Sequence, residues 1–167
     1  MDRISILIVD DDPDQHTVCG VFLEHAGYEV LHAFDGQEGV ELARIHQPEL
    51  VLMDIRMPRM DGVAARRALA ADPATSSIPV IAVSADVLTW PEPRVLDEGF
   101  AAYLPKPCNL NRMGVMVQRF TSHGMDRGLA AGVALRRGPP LRLGAMPFTA
   151  RASSTSPGAL TPLRPSV

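Results

Sequence analysis

LVLMDIRMPRMDG, residues 50–62, is the stretch on which the reading of this chain turns. Leu50–Met53 is a short apolar run of the kind that forms a strand, and it ends on a carboxylate, Asp54. Asp61-Gly62 reads as loop and helix entry, and Gly62–Ala71, rich in alanine, reads as a helix. Met53, Met57 and Met60 are read as packing the rim of whatever lies at the strand end, because an unbranched thioether fills irregular gaps.

The pattern repeats on either side. Ile4–Val9 is apolar but for Ser5, as expected of a strand buried on both faces. Asp12-Pro13 opens a helix, with Asp as the cap and Pro where a missing N–H costs nothing. Val18, Val21, Phe22, His25 and Ala26 mark one face of that helix, and Gly27 closes it. Tyr28–Phe34 alternates, which suits an edge strand. Asp35-Gly36 turns the chain into a helix over Gln37–His46, which Pro48 stops. Pro79–Val83 is a fourth strand ending at Ser84. A weaker helix follows over Arg94–Glu98, since Pro91 and Pro93 exclude a regular helix interior before it. Ala102–Leu104 is a short fifth strand leading to Lys106, and Leu110–Phe120 is a closing helix. Five βα units in alternation predict an α/β fold: a doubly wound, five-stranded parallel sheet with helices on both faces, in the flavodoxin-like order 2-1-3-4-5.

Composition narrows the function. The chain has 167 residues, 46% of them hydrophobic, enough for one domain with a proper core. Residues 1–123 carry 10 Lys and Arg against 18 Asp and Glu, a charge of −8, while 124–167 carry six Arg and one Asp, +5. An acidic body argues against a nucleic-acid-binding core. Residues 1–123 are read as the domain, and 124–167, rich in Pro, Gly and Ser without periodicity, as a disordered basic tail. Cys19 and Cys108 make no disulfide framework and sit in no metal-ligand spacing. His16, His25, His32, His46 and His123 form no ligand motif and are read as surface or edge residues. The first apolar run is too short for a leader or a membrane span, which predicts a soluble, cytoplasmic protein with no membrane partner.

In parallel α/β sheets, ligands bind outside the carboxyl ends of the strands. Strand one ends in Asp10-Asp11-Asp12, strand three in Asp54, strand four in Ser84, and strand five leads into Lys106. Several carboxylates cannot share a small site cheaply without a cation. Oxygen ligands with no His or Cys among them point to a hard ion such as Mg²⁺. Asp12, placed before Pro13, is read as the helix cap rather than a ligand.

Four segments, ILIVDDDPD (6–14), LVLMDIRMPRMDG (50–62), VIAVSAD (80–86) and YLPKP (103–107), resemble the signature segments of the response-regulator receiver family in order and spacing. The resemblance covers roughly residues 3–120. It implies that Asp54 is the phosphoacceptor, attacking a phosphohistidine or a small phosphodonor. It implies that Asp11 binds Mg²⁺ directly, that Asp10 supports it or binds through water, and that Asp54 and the Arg56 backbone carbonyl supply further oxygens. Lys106, the only lysine in the chain, would pair with Asp54 and then with a phosphoryl oxygen. Ser84 and Tyr103 would be the switch pair, the hydroxyl moving toward the phosphoryl group and the aromatic turning inward. Pro107 resembles the family's cis-proline, and Arg56 and Asp86 occupy variable flanking positions where a salt bridge is expected.

By the same resemblance the partners are a sensor histidine kinase or phosphotransfer protein and a downstream protein target, as in stand-alone receivers of chemotaxis or phosphorelay pathways. Such a protein accepts a phosphoryl group and can shed it, but is not a turnover enzyme. The rival readings are a phosphorylation-independent interaction module and an Asp-nucleophile phosphohydrolase of the haloacid-dehalogenase kind. The latter carries DxDx[TV] at its first strand, and no such motif occurs here. One departure from the family stands out: Trp90-Pro91-Glu92-Pro93 intervenes before the fourth helix, predicting an irregular start to the face built from that helix, the fifth strand and the fifth helix.

Overall fold

The apolar runs all become strands in the computed structural model, which describes residues 3–121. They are β1 (Ser5–Val9), β2 (Glu29–Ala33), β3 (Leu50–Asp54), β4 (Val80–Ser84) and β5 (Ala102–Pro105). Helices α1 (Pro13–His25), α2 (Gly36–His46), α3 (Gly62–Ala71), α4 (Glu92–Asp97) and α5 (Leu110–Phe120) alternate with them. All strand pairs are parallel, in the order β2-β1-β3-β4-β5. The predicted sheet and its order are those observed.

Alternation along each strand sends side chains to two cores. Leu7 and Val9 of β1 pack with Val51, Met53, Ala43, Val63 and Leu69 under α2 and α3. Ile6 and Ile8 point the other way, joining Leu23 of α1, Leu50, Leu52 and Met113 and Val117 of α5. Burying each such aliphatic side chain is worth about 1.5–3 kcal/mol, so β1, β3 and β4, buried on both faces, carry the fold. β2 is the edge expected from its alternation: Glu29 is exposed and Val30, Leu31 and His32 are half-buried.

Carboxylates and an amide cap four of the helices. Asp12 accepts from the Asp14 N–H at 3.0 Å, as predicted, and Asp61 from Ala64 at 2.7 Å. Asn109 accepts from Arg112 at 3.0 Å. Asp35 is also a cap rather than part of a turn: it accepts from Glu38 N–H at 2.9 Å, and Gly36 is already helical. Glu38 reaches back to the Phe34 N–H at 2.7 Å, so the two acidic residues satisfy amides in both directions.

The fourth helix differs from expectation. It runs from Glu92 to Asp97, with Pro91 as its N-cap and Pro93 in its first turn. First-turn amides have no partner within a helix, so prolines there start α4 where they would break its interior. The boundary at residue 123 and the reading of 124–167 as a disordered tail lie outside the described residues.

Candidate functional site at the carboxyl ends of the strands

The strand order reverses between β1 and β3: one connection leads outward from β1 to β2, the other away through β3. Their carboxyl ends are adjacent, with Val9 in register with Met53. The residues that follow are therefore thrown into one crevice, Asp10-Asp11-Asp12 from one side and Asp54 from the other. One oxygen each of Asp10, Asp11 and Asp54 lies within 4.8 Å of the others, with Asp10 and Asp54 buried and Asp11 exposed. Asp12 is outside this cluster, consistent with its capping role.

Lys106 reaches this cluster from β5. Its Nζ donates to Asp54 Oδ2 at 2.6 Å and to Asp10 Oδ2 at 2.7 Å, so one ammonium bridges two buried carboxylates. The expected contact with Asp54 is present, and that with Asp10 is additional. Burial works against the lysine's charge, but the hydrogen bonds it donates to Asp10 and Asp54 outweigh it and raise its pKa. Asp10 is also shifted upward, because burial outweighs its hydrogen bonds from Lys106 and Asp12. Burial is the largest single influence on both groups, raising the carboxyl and opposing the ammonium. The peptide bond between Lys106 and Pro107 is cis.

The backbone fixes the two buried carboxylates further. Asp54 Oδ1 accepts from Arg56 N–H at 3.0 Å, and Asp10 Oδ1 from Asp12 N–H at 3.0 Å. Gly62 packs directly on the end of β3 and donates its N–H to the Ile55 carbonyl at 2.9 Å. A Cβ there would lie 2.1 Å from the Asp54 carbonyl oxygen. Helix α3 can start this close to Asp54 only because residue 62 has no side chain.

Ser84 is fully buried at the end of β4, and its hydroxyl accepts from the Asp86 N–H at 3.1 Å. Its carbonyl accepts from Lys106 N–H at 2.9 Å. Tyr103 is 5% exposed and already lies inward, its hydroxyl 3.5 Å from the Ser84 carbonyl oxygen. Burial, then the nearby Glu92 and Asp86, raise its pKa. Arg56 and Asp86 form the anticipated salt bridge at 3.1 Å, though the arginine is largely exposed, so it contributes little to stability.

A cleft of about 360 Å³ opens beside the acidic cluster, lined by Asp11, Ile55, Arg56, Met57, Pro58, Asp61 and Trp90. Met57 is on this rim as predicted, whereas Met53 is buried in the core under α2 and α3 and Met60 packs against it. Trp90 is held by the Arg94 guanidinium, 4.2 Å from its ring centroid.

At His16 the reading of surface or edge histidines needs correction, whereas His25 and His46 are exposed and His32 lies on the edge strand β2. His16 is buried, and its Nε2 bonds the Asp10 carbonyl at 2.8 Å while its Nδ1 meets His32 Nδ1 at 2.9 Å. A carbonyl only accepts, so Nε2 of His16 carries a proton. When His16 is neutral, its Nδ1 accepts from His32 Nδ1–H. The pair braces the end of β1 beneath the acidic cluster. The two residues are 16 apart and belong to a helix and an edge strand, so spacing carried no sign of their contact.

Comparisons with known proteins agree with this geometry. The family model described as response regulator receiver domain matches residues 6–118. A polar-differentiation response regulator, DivK, from Brucella anthropi is 36% identical over 108 residues, covering 65% of this chain and 88% of the relative. The receiver domain of sensor histidine kinase PA1611 from Pseudomonas aeruginosa, solved with a magnesium ion coordinated in its active-site cleft, is 32% identical with a TM-score of 0.66. That match covers 71% of this chain and 98% of that one. A receiver domain of a histidine kinase from Syntrophus aciditrophicus is 33% identical with a TM-score of 0.64, covering 78% and 98%.

Proposed function

The chain belongs to the response regulator receiver domain family, and from that premise we propose that it is a magnesium-dependent phosphoryl-accepting switch with Asp54 as acceptor. Receiver domains are modules of two-component signalling rather than turnover enzymes. The observation that carries the finer reading is the bridging ammonium: Lys106 holds Asp10 and Asp54 side by side at 2.7 and 2.6 Å. Such an arrangement collects negative charge at one point and waits for a cation.

The donor set fits Mg²⁺. Asp10, Asp11 and Asp54 offer only carboxylate oxygens, and the exposed Asp11 would be the direct ligand, with Asp10 behind it and the Arg56 carbonyl completing the set. When bound, the ion offsets charge on the acceptor and on the incoming phosphoryl group. A carboxylate oxygen of Asp54 attacks phosphorus in line. The phosphorus–nitrogen bond of a phosphohistidine breaks, its electron pair stays with the imidazole, and an acyl phosphate forms. The Arg56 N–H on Oδ1 keeps the carboxylate oriented. Lys106 then turns from Asp54 to a phosphoryl oxygen, a role that suits a compact ammonium better than a wide guanidinium. Ser84, whose oxygen accepts from Asp86, gives its own O–H to the phosphoryl group.

The switch pair is Ser84 and Tyr103, and the face they alter is read by a protein partner. A histidine kinase or phosphotransfer protein supplies the group, which places the chain in the cytoplasm. Among the described residues no helix is long and apolar enough to cross a membrane. Residues 1–123 would suffice for this chemistry, so a chain ending at His123 should accept phosphate like the full one.

Trp90 tests the reading because it lines the cleft beside Asp11. Mg²⁺ with beryllofluoride, a stable phosphoryl mimic, should shift or quench its fluorescence beyond the effect of Mg²⁺ alone. Asp54→Ala should abolish the response, and Ser84→Ala should blunt it. An equal response in Asp54→Ala would overturn the assignment.

A further inference from the structure

The cleft beside the acidic cluster has two kinds of lining. Asp11, Arg56 and Asp61 are charged, whereas Met57, Pro58 and Trp90 are apolar. Asp11 belongs to the carboxylate cluster, and the Arg56 N–H holds Asp54 Oδ1. The cleft therefore gives a donor in solvent a way to a carboxylate that is only 7% exposed. Trp90 is held in place at this cleft from several sides. Its backbone N–H donates to the Asp86 carbonyl at 3.0 Å, and the Asp86 N–H donates to the Ser84 hydroxyl at 3.1 Å. The Arg94 guanidinium lies 4.2 Å from the ring centroid and donates to the Thr89 carbonyl at 2.9 Å. Trp90 also packs against the apolar cluster that contains Met57 and Val95. The ring is thus positioned before any donor arrives, which lowers the ordering cost of a contact with it.

We propose that Trp90 determines specificity for the phosphodonor: its indole receives the flat imidazole of a phosphohistidine, favouring donors whose leaving group is an aromatic ring. This rests on the reading of Asp54 as acceptor and adds how that acceptor discriminates among donors. An Asp54 oxygen bonds phosphorus as the phosphorus–nitrogen bond breaks. The electron pair passes to the ring nitrogen, and a ring protonated on its other nitrogen departs as neutral imidazole.

The two parts of such a donor match the two kinds of lining. The phosphoryl group is anionic and is drawn to the place where Lys106 meets Asp54. In-line attack puts the leaving group on the side of phosphorus away from Asp54, toward solvent and the cleft. There a flat ring meets the indole, and aromatic pairs of this kind change a rate by about two- to tenfold. An acetate or ammonia leaving group has no ring and gains nothing from the same wall. The selectivity is therefore for the shape and aromatic character of the leaving group, separate from the chemistry at phosphorus.

The full chain with Mg²⁺ is given phosphoimidazole or phosphoramidate, each at concentrations where the rate rises linearly, and uptake is followed by intact mass. Phosphoramidate has the same phosphorus–nitrogen bond but releases ammonia, so the ratio of the two rates isolates the ring. Trp90→Ala should lower that ratio by about two- to tenfold, and Trp90→Phe should keep most of it. A variant that is partly unfolded slows both donors alike and leaves the ratio untouched, so a role confined to packing would not move it. An unchanged ratio in Trp90→Ala overturns the proposal, as does a Trp90→Phe ratio that falls as far as that of Trp90→Ala. No uptake by the wild-type chain from either donor, or equal uptake by Asp54→Ala, would instead overturn Asp54 as acceptor, and with it the selectivity at Trp90.

Discussion

Gly62→Ala places one methyl group against the backbone at the end of β3. The new Cβ would lie 2.1 Å from the Asp54 carbonyl oxygen, 2.9 Å from Ile55 Cα and 3.0 Å from the Asp54 carbonyl carbon. Carbon and carbonyl oxygen ordinarily approach to about 3.3 Å, so relief requires a movement of roughly 1 Å. Every contacted atom is backbone, and none can rotate away. Overpacking of this kind costs about 1–3 kcal/mol. Lifting α3 off β3 also strains the Gly62 N–H bond to Ile55 and the Asp61 cap, the cap alone being worth about 0.5–2 kcal/mol. The better helix propensity of alanine returns at most about 1 kcal/mol. The net loss should be about 2–3 kcal/mol, which for a domain of this size lowers Tm by roughly 10 °C. Thermal unfolding followed by circular dichroism measures it. Gly114→Ala is the control, since its Cβ would meet only the Phe22 ring, at 3.2 Å, and a half-buried side chain can turn aside. That variant should stay within about 0.5 kcal/mol of the parent or gain slightly. A Gly62→Ala chain that melts with the parent would refute the claim that α3 is seated directly on the Asp54 backbone.

The acidic triplet divides its labour, so Asp11→Asn should weaken Mg²⁺ binding roughly tenfold or more, whereas Asp12→Asn should leave it nearly intact and cost less than about 0.5 kcal/mol, because Asn caps equally well. Calorimetric titration decides this, and a larger loss with Asp12→Asn would reverse the two roles. Burial, then neighbouring His16, lowers the pKa of His32 from its ordinary 6.5. The unfolded chain thus binds a proton there before the folded one does, and the His32 contribution, complete above pH 6.5, is lost as pH falls below it. Urea unfolding between pH 7.5 and 5.5 should show the parent losing more stability than His32→Gln; equal losses would remove His32 as the cause.

The sheet was legible because each strand is a short apolar run and each helix start carries a cap or proline. Asp54, Lys106 and Ser84 were legible as the polar residues left at strand ends once those runs were drawn. What stayed hidden depends on contacts between distant segments. The His16–His32 brace joins a helix to the edge strand, and the pair has no spacing to betray it. Lys106 was placed against Asp54 but not against Asp10, because the lateral distance between β1 and β3 ends is a property of the sheet. Pro91 and Pro93 misled for another reason: proline forbids a helix interior and favours a first turn, and only the backbone tells which one a proline occupies.

The site makes one demand above the others, that the carboxylate bridged to Asp10 by Lys106 is the one that takes the phosphoryl group. Intact mass of the full chain after incubation with Mg²⁺ and acetyl phosphate tests it, with Asp54→Ala in parallel. The wild-type chain should gain one phosphoryl group and the variant none; equal uptake by both would contradict the assignment of Asp54.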